Sequence, residues 1–282
     1  MIRSEAPSPA AAIGLVVAAG VFFVVGGLPL RILFGEGGIV AAQIAFLFLP
    51  AILFVHLGGF APAAVLSLRT PSMAEAAAGA ALLLGGLQVA WFLAWLQGFL
   101  IPVPVEYLEA MAATLRADSV GRLLWLLFLA AVVPSVAEEV LFRGVLLSGL
   151  RSRLPATAAV VLSGIIFGLF HLTPETAFRF LPTAWLGILL GWVVVASGSL
   201  PLAVVLHFCN NALILVLTAI PAVEGRANDP EAMPPLLLLP FGLGLLWWGG
   251  NRLQNLRRGG AQPAESEVSD RSFDDNRPPE RG

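Results

Sequence analysis

Stretches of about 20 apolar residues follow one another along this chain, and they constrain its fold more than any other feature. The stretches are Ala10–Phe34, Gly38–His56, Met73–Leu100, Val120–Leu150, Ala156–Leu172, Phe178–Ser197, Leu200–Ile220 and Met233–Gly250. A helix needs about 20 apolar residues to cross a hydrocarbon core about 30 Å thick. The alternating pattern of barrel strands, about ten residues long, is absent. Hydrophobic residues make up 58% of the 282 residues, charged residues 12%, and the mean hydropathy is +0.87. A water-soluble domain of this size lacks the polar surface to cover so much apolar side chain. The sequence therefore predicts an all-α, polytopic transmembrane bundle of about eight helices.

The punctuation between the stretches agrees. Gly35-Glu36-Gly37-Gly38, Arg69-Thr70-Pro71-Ser72 and Ser197-Gly198-Ser199-Leu200-Pro201 read as short turns. The first stretch is long, and no small-residue cleavage site follows Gly26-Gly27-Leu28-Pro29, so it reads as a retained helix. Between Val105 and Ser119, Tyr107, Leu108, Met111 and Leu115 recur at helical spacing among charged residues, which predicts a short interfacial helix. The chain divides into N-terminal helices (1–119), a core (120–220), a last transmembrane helix (221–250) and a polar tail (251–282). The tail should be disordered beyond about Arg258. Arg151, Arg153, Arg252, Arg257 and Arg258 flank helix ends that share one side in an eight-span arrangement. That side should be cytoplasmic, with both termini on it. The Ala222–Glu231 loop has more acid than base and suits the opposite side.

Composition also limits function. The net charge of −2 is thinly spread and points away from nucleic acid. The expected partners are membrane lipid and a peptide or membrane-anchored protein. Every basic residue is Arg, and Ala, Gly and Pro are abundant, as in a GC-rich genome; the expected location is a bacterial cell membrane. The single Cys209 excludes an intrachain disulfide and reads as a packing residue. His56, at the end of the second stretch, reads as interfacial, and Trp247 and Trp248 as interfacial anchors.

Inside the fourth apolar stretch stand Glu138, Glu139 and Arg143. An ionisable side chain near the centre of a membrane helix costs about 2.5–3.5 kcal/mol, whereas each large apolar residue returns about 0.3–0.6 kcal/mol. A cluster kept at that cost marks function. Residues four apart share a helix face, so Glu139 and Arg143 pair along one stripe. Glu138 is rotated by about 100° and remains free for chemistry. Pro134, one turn earlier, should kink the helix and open its carbonyls. Two further helices add Phe167 with His171 (and Ser163 a turn before), and His207 with Asn211. Asn210 lies about 60° off the latter face. Polar groups in hydrocarbon need partners or water, so the economical arrangement is one cavity lined by Glu138, His171, His207 and Asn211. Such a cavity suits hydrolysis, with a glutamate as general base and a histidine and an amide as donors to an oxyanion. Ser163 has no base placed against it, and no glycine-rich phosphate loop occurs.

The ordered set Glu-Glu-x-x-x-Arg, Phe-x-x-x-His and His-x-x-x-Asn, complete from Glu138 to Asn211, resembles the CPBP intramembrane proteases. That family includes the type II CAAX prenyl endopeptidases and the bacterial Abi-type bacteriocin-immunity proteins. The resemblance implies an eight-helix membrane core in which Glu138 with His171 activates water. His207 and Asn211 would stabilise the oxyanion, and Glu139, Arg143 and Phe167 would support the site. The expected activity is intramembrane endopeptidase action on a membrane-associated or prenyl-like protein or peptide. Two alternatives stand beside it: a non-catalytic membrane immunity or scaffold protein on the same fold, and a proton-coupled transporter. No cofactor is required, although zinc would find three ligands in Glu138, His171 and His207. A geometric difficulty accompanies this reading. With straight spans, His171 ends the fifth helix and His207 begins the seventh, on opposite membrane faces. A shared cavity therefore demands tilt, a break or displaced spans.

Overall fold

The structure is a computed structural model and describes residues 6–218 and 236–260. Those residues form helices joined by short turns, with no strand; an isolated antiparallel bridge joins Leu68 and Ser199. The helices are α1 (Pro9–Phe34), α2 (Glu36–Leu57), α3 (Pro62–Leu66), α4 (Met73–Gly98), α5 (Val105–Thr114), α6 (Val120–Arg151), α7 (Ala156–Phe170), α8 (Phe180–Ser197), α9 (Leu200–Thr218) and α10 (Leu239–Gly260). By length and composition, α1, α2, α4, α6, α8 (with its leading turn from Ala177) and α9 can each cross a bilayer. The other two expected spans differ. α7 is apolar but has 15 residues, about 22 Å at 1.5 Å per residue. α10 is long enough, but its last turns carry Arg252, Gln254, Arg257 and Arg258. It carries helix through the first residues of the polar tail, whereas the tail from 261 and the Ala222–Glu231 loop lie outside the described residues.

Local chemistry explains the boundaries. Ser8 caps α1 ahead of Pro9, and the helix runs on through Pro29 to Phe34. Ser72 and Glu75 form a capping box on α4, with the Glu75 amide donating to Ser72 Oγ and the Ser72 amide to Glu75 Oε2. Ser119 caps α6. α5 buries no residue, as expected of an interfacial helix.

α6 is the centre of the bundle. Every residue from Ala137 to Leu147 is buried, and the main apolar core forms around Leu141, Phe142, Val145 and Leu146. A helix wrapped on all sides is apolar all round, which is why its charged residues stand out in the sequence. Glycine sets the approach of α7 to α8: a Cβ on Gly187 would sit 2.8 Å from the Gly164 Cα. Beneath α6 the chain re-enters between α2 and α4. Leu66 of α3 packs onto Gly144, Ser67 takes a left-handed conformation (φ 50°), and Leu200 N donates to the Ser67 carbonyl. This segment ties the α8–α9 turn to the underside of α6.

Candidate active site

Two widened π-helical turns, Phe128–Val132 and Val140–Leu146, flank the segment of α6 that carries Glu138 and Glu139. The first turn has an evident cause. Pro134 has no N–H for the Ala130 carbonyl four residues earlier, and its ring crowds that carbonyl. A widened turn makes room, as such turns often do beside functional residues. Asn211 Nδ2 of α9 then donates to the Ala130 carbonyl at 3.2 Å. Proline's missing donor is thus replaced from a neighbouring helix. Asn211, expected to serve an oxyanion, thus commits one of its N–H groups to the backbone, and its Oδ1 accepts from Asn210 at 3.0 Å.

Glu139 and Arg143 pair as their spacing predicts, Oε1 to Nη1 at 2.8 Å, and both side chains are fully buried. Arg143 is held on two further sides. Its Nη2 donates to the Gly187 carbonyl of α8 at 3.1 Å, and its guanidinium lies 4.3 Å over the Phe167 ring of α7. A desolvated cation over an aromatic face gains about 2 kcal/mol. Phe167 also meets Phe142 edge-on, with ring centroids 5.0 Å apart. This ion pair therefore fastens α6 to α7 and α8.

The pair also meets a histidine, which its spacing along one stripe of the helix did not suggest. His207 Nδ1 contacts the same Glu139 Oε1 at 2.9 Å. A carboxylate beside an arginine accepts, so Nδ1 is the donor and Nε2 is turned outward. That Nε2 lies 4.0 Å from Glu138 Oε2. His171 is oriented by the same logic with a different acceptor. Its Nδ1 donates to the Phe167 carbonyl at 2.8 Å, and its Nε2 lies 3.5 Å from Glu138 Oε2. Three helices thus bring Glu138, His171 and His207 together. Neither the bond from His207 to Glu139 nor the orientation of the two rings leaves a signal in the sequence. The pairing of Pro134 with an orphaned Ala130 carbonyl does, because the four-residue offset is fixed.

The difficulty of opposite faces resolves through the length of α7. α7, at 15 residues, is about 8 Å shorter than a 30 Å core, and both His171 Nε2 at its end and His207 Nε2 of α9 reach Glu138 Oε2. The His171 ring folds back along α7 towards Phe167, while His207 lies two turns into α9. The following loop is held in place. Thr176 Oγ1 donates to the His171 carbonyl at 2.7 Å, and the buried Gln97 of α4 spans the loop, donating to the Ala177 carbonyl (2.6 Å) and accepting from Leu181 N (2.7 Å). Gln97 escaped the motif reading; an amide in the last turn of an apolar helix was the available signal. In the same loop, the Glu175 backbone amide and the Thr173 hydroxyl hold the exposed Glu175 carboxyl below its usual range.

With both Nδ1 atoms donating, an imidazole in its neutral form presents an Nε2 lone pair to the Glu138 carboxylate. Three acceptors facing one another require protons between them, and a water molecule supplies two. Glu138 Oε2 is buried and has no hydrogen-bond partner among the protein atoms, whereas the His171 side chain is 29% exposed and opens the site. Zinc would need these same three residues. Among the described residues no group of three His, Cys, Asp or Glu is arranged to hold a metal ion. Ser163 is buried and its Oγ contacts no base. Cys209 is exposed, which corrects its reading as a packing residue: α9 turns His207 and Asn210 inward and Cys209 out. His56 is exposed at the end of α2.

No curated protein and no solved structure matches the chain. Residues 120–213, about a third of the chain, are similar to the family model described as type II CAAX prenyl endopeptidase Rce1-like. This segment carries Glu138, His171, His207 and Asn211, and the match supports membership of the CPBP/CAAX protease family.

Proposed function

We propose that the protein is an intramembrane endopeptidase that hydrolyses a peptide bond of a membrane-associated or prenyl-like protein or peptide through water activated by Glu138. The observation that carries this reading is the meeting of one carboxylate oxygen with two imidazole Nε2 atoms, at 3.5 and 4.0 Å, inside a helical bundle. In the proposed cycle, a water between Glu138 and His171 attacks the scissile carbonyl carbon, and its proton passes to the Glu138 carboxylate. For this step His207 has taken up a proton from bulk water on Nε2 and keeps it through the cycle; with Nδ1–H held by Glu139, its Nε2–H donates to the oxyanion. Glu138 then returns its proton to the leaving nitrogen as the C–N bond breaks. Asn211 contributes by holding the Ala130 carbonyl and, with its remaining N–H, by donating to the oxyanion.

The test uses full-length protein in liposomes with membrane-anchored peptide substrates, together with a proteomic comparison of cells carrying the wild type or Glu138→Gln. General-base catalysis is worth about 10²–10⁴-fold, so Glu138→Gln should lose at least that factor while inserting and folding normally. Full cleavage by Glu138→Gln ends this mechanism. Absence of cleavage, with biological protection surviving in Glu138→Gln, identifies a scaffold. Glu138-dependent proton flux without cleavage identifies a transporter.

A further inference from the structure

A cleft of about 200 Å³ opens between α8 and α10, far from Glu138 in the sequence and unused by the proposed hydrolysis. Its lining is Trp192, Val195, Ala196, Gln254, Arg257 and Arg258. We propose that this cleft binds the phosphate of an anionic membrane phospholipid.

Position is the first argument. Gly249 packs on Ala78 and Leu82, and Gly242 on Gln88, so α10 runs antiparallel to α4 and ends beside its start. Gly168 packs on Ala184 and Gly164 on Ile188, so α8 runs antiparallel to α7 and ends beside the Arg151–Arg153 turn. The cleft therefore lies at the end of the bundle shared by Arg69, Arg151, Arg153, Arg252, Arg257 and Arg258, where Arg69 pairs with Glu75. Basic pockets between helices at such a boundary suit anionic headgroups.

Charge is the second. Arg257 donates one N–H to the Val195 carbonyl, and among the described residues no carboxylate pairs with Arg257 or Arg258. Two helices end here, each contributing about half a negative charge. Two guanidinium groups leave a net charge of about +1 and several unused donors, which match a phosphate oxygen pair. Chemistry of the walls is the third. Trp192 favours the headgroup level, and Val195 and Ala196 give an acyl chain an apolar descent along α8. Lipid bound there would clip α10 to α8, the helix whose Gly187 carbonyl receives Arg143.

The competing occupant is the tail itself, because residues 261–282 carry six acidic side chains. The experiment titrates the full chain in neutral detergent with short-chain phosphatidylglycerol, phosphatidylcholine or inorganic phosphate. It follows thermal unfolding and lipid retention in native mass spectra. A saturable rise in Tm and retained lipid are expected with phosphatidylglycerol alone. Arg258→Glu should weaken the apparent affinity about tenfold, while Arg252→Glu, on the same helix but outside the cleft, should change it less than twofold. Equal affinity in Arg258→Glu, or an equal response to phosphatidylcholine, overturns the proposal. A full response to inorganic phosphate reassigns the cleft to a free anion and overturns the lipid. A response that appears only after the six tail acids are converted to amides assigns the cleft to the tail and overturns it as well.

Discussion

Two ion pairs tie helices together here, and their surroundings make them different objects. Glu36 and Arg122 join the start of α2 to the start of α6, at 2.6 and 2.7 Å, with about a third of each side chain exposed. Trp125 Nε1 and the Thr114 carbonyl complete that boundary cluster. Glu139 and Arg143 are fully buried, and one carboxylate oxygen serves both Arg143 and His207. The boundary pair can exchange its partners for water at little loss. The interior pair has no such alternative, and its carboxylate also decides which nitrogen His207 shows to Glu138. The same two residue types therefore act as a fastening in one place and as an orienting device in the other.

The strongest way to break this contrast is to remove one interior partner. Arg143→Met leaves the buried Glu139 charge without its cation, with only His207 Nδ1–H donating to it, and should destabilise the fold by about 3 kcal/mol, measured by thermal unfolding in detergent. The double variant Glu139→Leu/Arg143→Met should recover most of that stability, since a buried pair replaced by apolar residues is often neutral. Its cleavage rate should stay at least about tenfold low, because His207 has lost the group that fixes its tautomer. Recovery of both stability and rate would reduce the interior pair to a fastening.

Asn211→Leu tests the neighbouring backbone repair. It strands the Ala130 carbonyl freed by Pro134 and should cost about 1–3 kcal/mol in unfolding free energy. At the boundary, Arg122→Met should cost only about 0.2–1 kcal/mol and leave cleavage unchanged. A loss there as large as that of Arg143→Met would remove the distinction altogether. The smallest effect concerns metal. Exhaustive chelation should leave the cleavage rate unchanged and elemental analysis should find no stoichiometric zinc; loss of activity restored by zinc would reverse the assignment of Glu138 as base.

The sequence by itself determined six of the expected membrane helices, because apolar length against bilayer thickness is a local property; α7 and α10 took their lengths and ends from the structure. It also determined the Glu139–Arg143 pair, because a helix brings residues four apart together whatever surrounds it. The same periodicity singled out Glu138, His171, His207 and Asn211. Only the tertiary structure decided how they meet. The fold of the His171 ring towards Phe167 at the end of the short α7 aims Nε2 at Glu138. The contact of His207 with Glu139, and the gift of Asn211 to the Ala130 carbonyl, depend on the depth and rotation of α9 against α6. Those quantities arise from close packing across helices, such as Gly164 against Gly187, and a repeat that reaches only four residues along the chain carries no record of them.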